Sequence, residues 1–255
     1  TSEIPIIIQP AVQCEWRWLD PRKLACQIKP ATPIKLATRY SLRIRPGIKT
    51  QNGQTLAKEY THHFQTARPK VMHTFLVQWK DPRTPLIELR FNQRVFLTSL
   101  KSSAYFSSGH DRIPVKAHSA DGKVLNYWSD SWQVEPSTPL PLDRPIELKI
   151  EPGVVAELGP LQGIEQRLLG KFHTFPELKF LGAKCVSPTG TEIRIPQTQV
   201  PTQALAGPRC SPESGLELEF SAPINKLSLI EALSYSPALP QAQELKEQAI
   251  SEARY

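Results

Sequence analysis

The sequence predicts an all-β protein made of tandem copies of one small β-domain, with the first and last copies incomplete. The first observation behind this is a twenty-residue stretch that occurs twice, IKPATPIKLATRYSLRIRPG from Ile28 to Gly47 and VEPSTPLPLDRPIELKIEPG from Val134 to Gly153. Without a gap the two keep Pro30 with Pro136, Thr32 with Thr138, Leu42 with Leu148, Ile44 with Ile150 and Pro46-Gly47 with Pro152-Gly153, a constant shift of 136 − 30 = 152 − 46 = 106. A repeat this long is a domain, because solenoid units run at about 20–50 residues. The second observation is a different repeat: Leu89-Arg-Phe-Asn-Gln-Arg-Val95 with Ser99-Leu100 resembles Leu218-Glu-Phe-Ser-Ala-Pro-Ile224 with Ser228-Leu229, at a shift of 220 − 91 = 129. The third is composition. Twenty-five prolines and twelve glycines in 255 residues punctuate the chain into short segments, which favours a β-sandwich over helical or doubly wound folds.

The two repeats divide the chain. Its closing half-pattern lies near 28–66 and 134–174 and its opening half-pattern near 89 and 218, so residues 1–69 form the C-terminal part of a first domain. Residues 70–176 form a complete second domain, and 177–255 the start of a third with a helical tail. Thr66-Ala-Arg-Pro-Lys70 and Phe175-Pro176-Glu177 are the linkers.

Within the first unit, residues 4–8 and 14–19 have strand character, Asp20-Pro21-Arg22 is a turn, and Lys23–Ile28 is a further strand. The Pro-x-Thr-Pro segment carries two prolines, so it is expected as an extended connection outside the ladders. In Tyr40-Ser-Leu-Arg-Ile-Arg45, apolar and charged side chains alternate, the signature of a strand with one buried and one wet face. Pro46-Gly47 ends it, and Gly53 leads to a last strand ending at Thr66.

The second unit opens with the apolar VMHTFLVQW, continues through Leu86–Phe91, and takes a short helical turn over Leu97–Ala104. Arg112–Ala117 and Lys123–Trp128 flank an Asp-Gly turn, Trp132–Glu135 leads into the second Pro-x-Thr-Pro segment, and Ile146–Glu151 repeats the alternating strand. Gly159 and a segment around Thr174 close the unit. In the third, Leu178–Cys185 reads as a strand, followed by a polar, proline-rich loop up to Pro208. Residues 240–255 have high helix propensity, with an apolar stripe at Leu245 and Ala249-Ile250.

The formal net charge of +7 is spread along strands and interleaved with acids, as in Arg43, Arg45, Glu147, Lys149 and Glu151, so no nucleic-acid partner is expected. No segment reaches the ~20 apolar residues of a membrane-spanning helix. The start, TSEIPIIIQP, lacks a charged n-region and a cleavage site, so a signal or anchor is expected outside this segment.

Four cysteines form two sequence-local pairs, Cys14 with Cys26 and Cys185 with Cys210. Neither has the spacing of a zinc site, which supports disulfides in an oxidising compartment. A tight hairpin turning at Pro21-Arg22 would set Arg17, not Cys14, opposite Cys26, so the first bond requires a longer turn or a bulge.

No catalytic motif is present: neither a nucleophile elbow, a phosphate loop, a His-Glu-x-x-His zinc motif nor a dinucleotide fingerprint. Adjacent His62 and His63 on a strand point to opposite faces, which is poor geometry for a shared metal. Gly109-His110-Asp111-Arg112 has the composition of an exposed turn, and nothing in their spacing makes Asp130 and Glu135 an acid and base pair. The expectation is a non-enzyme with no cofactor. Trp16 and Trp18 share a face by the period-2 rule, which suits packing more than ligand binding.

The order Cys14-x-Trp-Arg-Trp-Leu-Asp20, Leu24-x-Cys26, Thr38-Arg39-Tyr40, Pro46-Gly47-Ile48-Lys49, Gly53-x-x-Leu56 and Phe64-x-Thr66 resembles the N-terminal Ig-like domains of bacterial alpha-2-macroglobulin family proteins. The second unit, with Leu89-x-Phe-Asn-Gln-x-Val95, Pro152-Gly153, Glu157-x-Gly-Pro-Leu161 and Phe172-His-Thr-Phe175, is similar to the next domain of that family. So is the Cys185 to Cys210 loop followed by Leu218-x-Phe-Ser-x-Pro-Ile224.

The resemblance implies macroglobulin-type Ig-like sandwiches in a large periplasmic or cell-envelope protein that traps proteases after a bait region is cut. Its implied partners are proteases acting on the full protein, neighbouring domains of the same chain, and cell-envelope proteins. Membrane contact would come only through an anchor elsewhere. Some members carry a thioester in a Cys-x-Glu-Gln motif. Here Gly163-Ile164-Glu165-Gln166 has glycine in the first position, so without a thiolate no thioester forms, and the segment is expected as a loop before the last strand. The alternative is a surface Ig-like adhesin or carbohydrate-binding module using Trp16, Trp18, Trp128 and Trp132 as sugar platforms.

Overall fold

The computed structural model describes residues 5–29, 31–120, 127–196, 209–211 and 213–234. Among these the chain is all-β, with fifteen strands and two helices of seven residues each. The first unit contains β1 (Ile6–Gln9), β2 (Cys14–Asp20), β3 (Lys23–Ile28), β4 (Arg39–Ile44) and β5 (Tyr60–Gln65). They form a sheet in the order β1-β4-β5 and a separate β2-β3 hairpin.

The second unit runs through β6 (Val71–Asp81), β7 (Thr84–Phe96), α1 (Leu97–Ser103), β8 (Ala104–Ser108), β9 (Asp111–Ser119), β10 (Trp128–Pro136), β11 (Pro145–Ile150) and β12 (Arg167–His173). They form one seven-stranded sheet in the order β12-β11-β8-β9-β10-β7-β6, which folds back on itself into a nearly closed sandwich. Its two inner faces supply the core. Ile87, Leu89, Phe91, Trp132 and Val134 face Phe106, Ile146, Leu148 and Ile150, all buried. The indole N–H of Trp132 donates to Ser129 O at 3.0 Å, so the ring is buried without an orphaned donor.

The third unit has β13 (Phe180–Val186), β14 (Glu192–Pro196) and β15 (Glu217–Phe220), in the order β14-β13-β15, followed by α2 (Lys226–Ala232). Residues 121–126, with the expected Asp-Gly turn, and the expected helix at 240–255 lie outside the described residues.

The sequence repeats are geometric repeats. Ala37 and Asp143, 106 apart, both take left-handed backbone, at φ 51° and 49°. Gly47 and Gly153 follow with φ 99° and 127°, where glycine carries no Cβ penalty. The threonine that closes each unit serves the same purpose in both. Thr66 Oγ1 donates to Lys35 O (2.8 Å) and accepts from Thr38 N (3.0 Å), while Thr174 Oγ1 donates to Pro141 O (2.7 Å) and accepts from Arg144 N (3.0 Å). Each hydroxyl thereby satisfies backbone groups that the proline-rich segment cannot pair within a ladder.

The shift of 129 holds as well. Helix α1 begins at 97 and α2 at 226, and 97 + 129 = 226. The β6–β7 ladder pairs Val71 with Phe91 and is irregular between Val71 and His73; the β13–β15 ladder pairs Phe180 with Phe220 and is irregular between Phe180 and Gly182.

One expectation is revised and two are borne out with added detail. The apolar run VMHTFLVQW is an edge strand with Met72, Phe75, Leu76 and Val77 exposed, so its hydrophobicity marks a surface and not the core. The loop expected before Pro208 contains strand β14. The alternation Glu-Ile-Arg-Ile is there, but the flanking prolines outweigh it in sequence reasoning. In the β2-β3 hairpin a bulge between Trp18 and Asp20 sets Cys26 opposite Trp16 and Cys14 opposite Ile28. The Cys14–Cys26 disulfide is therefore diagonal across the ladder, with Cα atoms 5.0 Å apart.

Candidate functional site: the joint between units

The sharpest convergence of side chains lies where the first unit passes into the second. The linker runs from Thr66 to Lys70 between β5 and β6, and two elements of the second unit hold it. From β7, Asn92 brackets the linker: its Nδ2 donates to Arg68 O (2.9 Å), its Oδ1 accepts from Lys70 N (2.9 Å), and its own backbone N donates to Lys70 O (3.0 Å). Gln93 Nε2 donates to Ala67 O at 2.9 Å from a buried position.

From the other side comes the loop between β11 and β12. Leu161 N donates to Ala37 O (2.8 Å), and Arg68 Nη1 donates to Gln162 O (2.8 Å). Gly159 lies so close to the first unit that a Cβ there would fall 2.6 Å from Thr38 Oγ1 and closer still to the carbonyl oxygens of Leu36 and Ala37. Only glycine permits this approach. Glu165 and Arg167 then clasp the start of β6. Glu165 Oε2 accepts from Val71 N (2.9 Å), Arg167 Nη2 donates to Val71 O (2.7 Å), and Arg167 Nε bonds Glu165 Oε1 at 2.5 Å. The ion pair stands in for a neighbouring strand, satisfying one donor and one acceptor of an edge residue. A cleft of about 490 Å³ beside the linker is lined by Arg68, Lys70, Asn92, Ile164 and Glu165.

Half of this joint recurs at the passage into the third unit. Ser221 takes the place of Asn92, since 92 + 129 = 221: its hydroxyl donates to Glu177 O (2.7 Å) and accepts from Lys179 N (2.7 Å), and its backbone N donates to Lys179 O (2.9 Å). One polar side chain bonding two backbone groups of the chain that enters a unit is thus a repeated device.

The cysteines pair as Cys14–Cys26 and Cys185–Cys210. Two disulfides place the chain in an oxidising, extracytoplasmic environment. No helix among the described residues is long and apolar enough to cross a membrane. His62 and His63 stand opposite Leu42 and Ser41 in the β4–β5 ladder and so lie on opposite faces. Gly109 and His110 make the turn between β8 and β9, while Arg112 on β9 ion-pairs with Glu151 (2.7 Å) and lies 3.8 Å over the Tyr105 ring. Those partners hold the Glu151 carboxyl below its usual range, Arg112 foremost. Glu135 is committed to an ion pair with Lys80. No group of three or more His, Cys, Asp or Glu gathers into a metal site among the described residues.

Of the four tryptophans considered as sugar platforms, Trp132 is wholly buried and cannot serve. Trp128 packs edge-on against Phe96 with Arg94 over its ring, and Trp16 is half-buried. Trp18, with Leu19, is exposed, so the two indoles of β2 are not both packing residues. The Gly163 to Gln166 segment is a loop leading into β12, as expected, but it is no passive connection, since Glu165 tethers β6. Sequence reasoning missed Asn92, Glu165 and Arg167 as joint residues. For Asn92 the signal was its alignment with Ser221, two small hydrogen-bonding side chains at one repeat position.

The chain matches no protein-family model and no curated protein.

Proposed function

We propose that this chain is a non-catalytic scaffold segment of a bacterial alpha-2-macroglobulin-like protease inhibitor of the periplasm or cell envelope, in which bait cleavage and trapping take place elsewhere in the full protein. The observation that carries the scaffold reading is the repeated joint. Asn92 and Ser221 pin the backbone where the second and third units begin, and at the first passage the loop before β12 bonds Ala37 O and Arg68 while Gly159 closely approaches Leu36–Thr38. A segment whose polar side chains are spent on its own linkers is suited to setting the spacing of domains. The protease assignment rests on the family resemblance of the ordered motifs, and the disulfides suit an envelope protein.

Incubating the full-length protein with a broad-specificity protease tests it. Cleaved inhibitor and protease co-migrating in one complex under native conditions is the expected result; cleavage with no retained protease refutes the assignment. The adhesin or carbohydrate-binding reading retains Trp18, which is 66% exposed at the tip of the β2-β3 hairpin. Glycan binding would shift its fluorescence, and a Trp18→Ala variant would abolish that response.

A further inference from the structure

The seven-stranded sheet of the second unit ends on two edges, β6 and β12, each flanked by chain on both sides. At the start of β6 the Glu165–Arg167 pair takes both backbone groups of Val71. Past that clasp, β6 has β7 as its one neighbouring strand among the described residues. Its pairing with β7 is regular from His73 to Leu76 and broken on either side, between Val71 and His73 and between Leu76 and Gln78. Bulges of this kind limit how far an edge can recruit another strand. The regular stretch between them is open to one short partner, and Met72, Phe75, Leu76 and Val77 expose apolar side chains along it.

This stretch leads directly into the joint. The cleft beside the linker and a second cavity of about 570 Å³, lined by Lys70, Val71, Met72, Glu165 and Arg167, share Lys70 and Glu165 and so form one groove. Its charges do not balance. Glu165, the one carboxylate, is already paired with Arg167. Arg68 donates only to neutral oxygens, Gln162 O and Gln65 Oε1, and its buried Nε has no partner among the described residues. Lys70 is bonded through its backbone N and O alone. The groove therefore has two uncompensated cations where β6 begins and apolar side chains farther along.

We propose that this groove binds an extended peptide of a partner protein, added as an antiparallel strand to β6, with apolar residues against Met72 and Leu76 and an acidic C-terminal end at Arg68 and Lys70. The open backbone of β6 supplies the main-chain hydrogen bonds of strand addition, and side-chain contacts supply the selectivity. Antiparallel pairing is the more stable arrangement, and it sets the C-terminal end of the peptide beside the start of β6. There the two uncompensated cations select carboxylates over neutral or basic side chains. Arg90 already lies over the Phe75 ring, which leaves Met72 and Leu76 as the free apolar contacts. The bulges hold the paired stretch to a few residues, so the partner is a short segment. This binding does not depend on the protease assignment.

Titrating the full chain into a fluorescein-labelled, amidated peptide of sequence Val-Thr-Val-Thr-Val-Glu-Glu, with anisotropy as the readout, tests it. The expected result is saturable binding that weakens as salt is added, with amide exchange slowed between Met72 and Val77 in the complex. Lys70→Glu lowers the affinity at least several-fold and raises it for the same peptide ending in Lys-Lys. That reversal also shows that the variant folds. Leu76→Lys weakens binding of the acidic peptide by removing an apolar contact while leaving the cations in place. Absence of saturable binding up to ~1 mM peptide overturns the proposal. So does binding that Lys70→Glu leaves unchanged, or protection that appears on other strands and not on β6.

Discussion

Trp132 is the residue on which the second unit's core turns. Its ring is fully buried between the inner faces and its N–H is satisfied by Ser129 O. Trp132→Ala leaves a large cavity and is expected to cost about 3–5 kcal/mol in chemical denaturation. The period-2 rule identifies which side chains share a face, but a tryptophan's own chemistry does not say whether that face is wet. For this reason Trp18 and Trp132 were indistinguishable until the strands around them were placed. Glu151 supplies a pH dependence. Because Arg112 and Tyr105 hold its folded-state pKa below the unfolded value, its stabilisation is fully present above the unfolded carboxylate pKa of about 4.3 and is lost as pH falls through the lower folded value. Thermal melts of wild type and Arg112→Ala should therefore differ at neutral pH and converge in strong acid.

At the scale of elements, the threonine that ends each unit deserves the closest test. Thr66→Val and Thr174→Val keep the side-chain volume while leaving the Thr38 and Arg144 amides without their hydroxyl acceptor. Each substitution is expected to cost about 1–3 kcal/mol, and amide exchange should accelerate first at Thr38 or Arg144. Strands β4 and β11 were legible because alternation and turn residues agree over their length. Strand β8 was passed over, being five residues directly after α1 with no intervening turn signal. The diagonal Cys14–Cys26 bond was half legible. The turn arithmetic required a longer turn or a bulge, but only the strand pairing shows a bulge between Trp18 and Asp20 that places Cys14 opposite Ile28. At the joint, the glycine at 159 was visible as a repeat position, yet its reason was not. Its counterpart Gly53 has open space around it and a left-handed φ of 87°, whereas Gly159 is required by a contact 121 residues away in sequence, 159 − 38 = 121.

For the whole molecule, the first and second units are tied together by backbone and side-chain bonds at close range, so their relative orientation is part of the fold. Gly159→Ala pushes a methyl group into the Leu36–Thr38 backbone, and is expected to loosen the joint while leaving each unit's core intact. Limited proteolysis should then cut the Ala67–Lys70 linker at least several-fold faster than in wild type. The most direct measurement of a fixed joint is a set of backbone amide residual dipolar couplings in a weakly aligned sample. A joint held by Asn92, Gln93, Arg68 and the Gly159–Leu161 contact predicts that couplings from residues 5–69 and 70–176 fit one alignment tensor, and that Gly159→Ala splits it in two. Two distinct tensors in the wild-type chain would show that the units reorient freely, and would contradict a scaffold of fixed spacing.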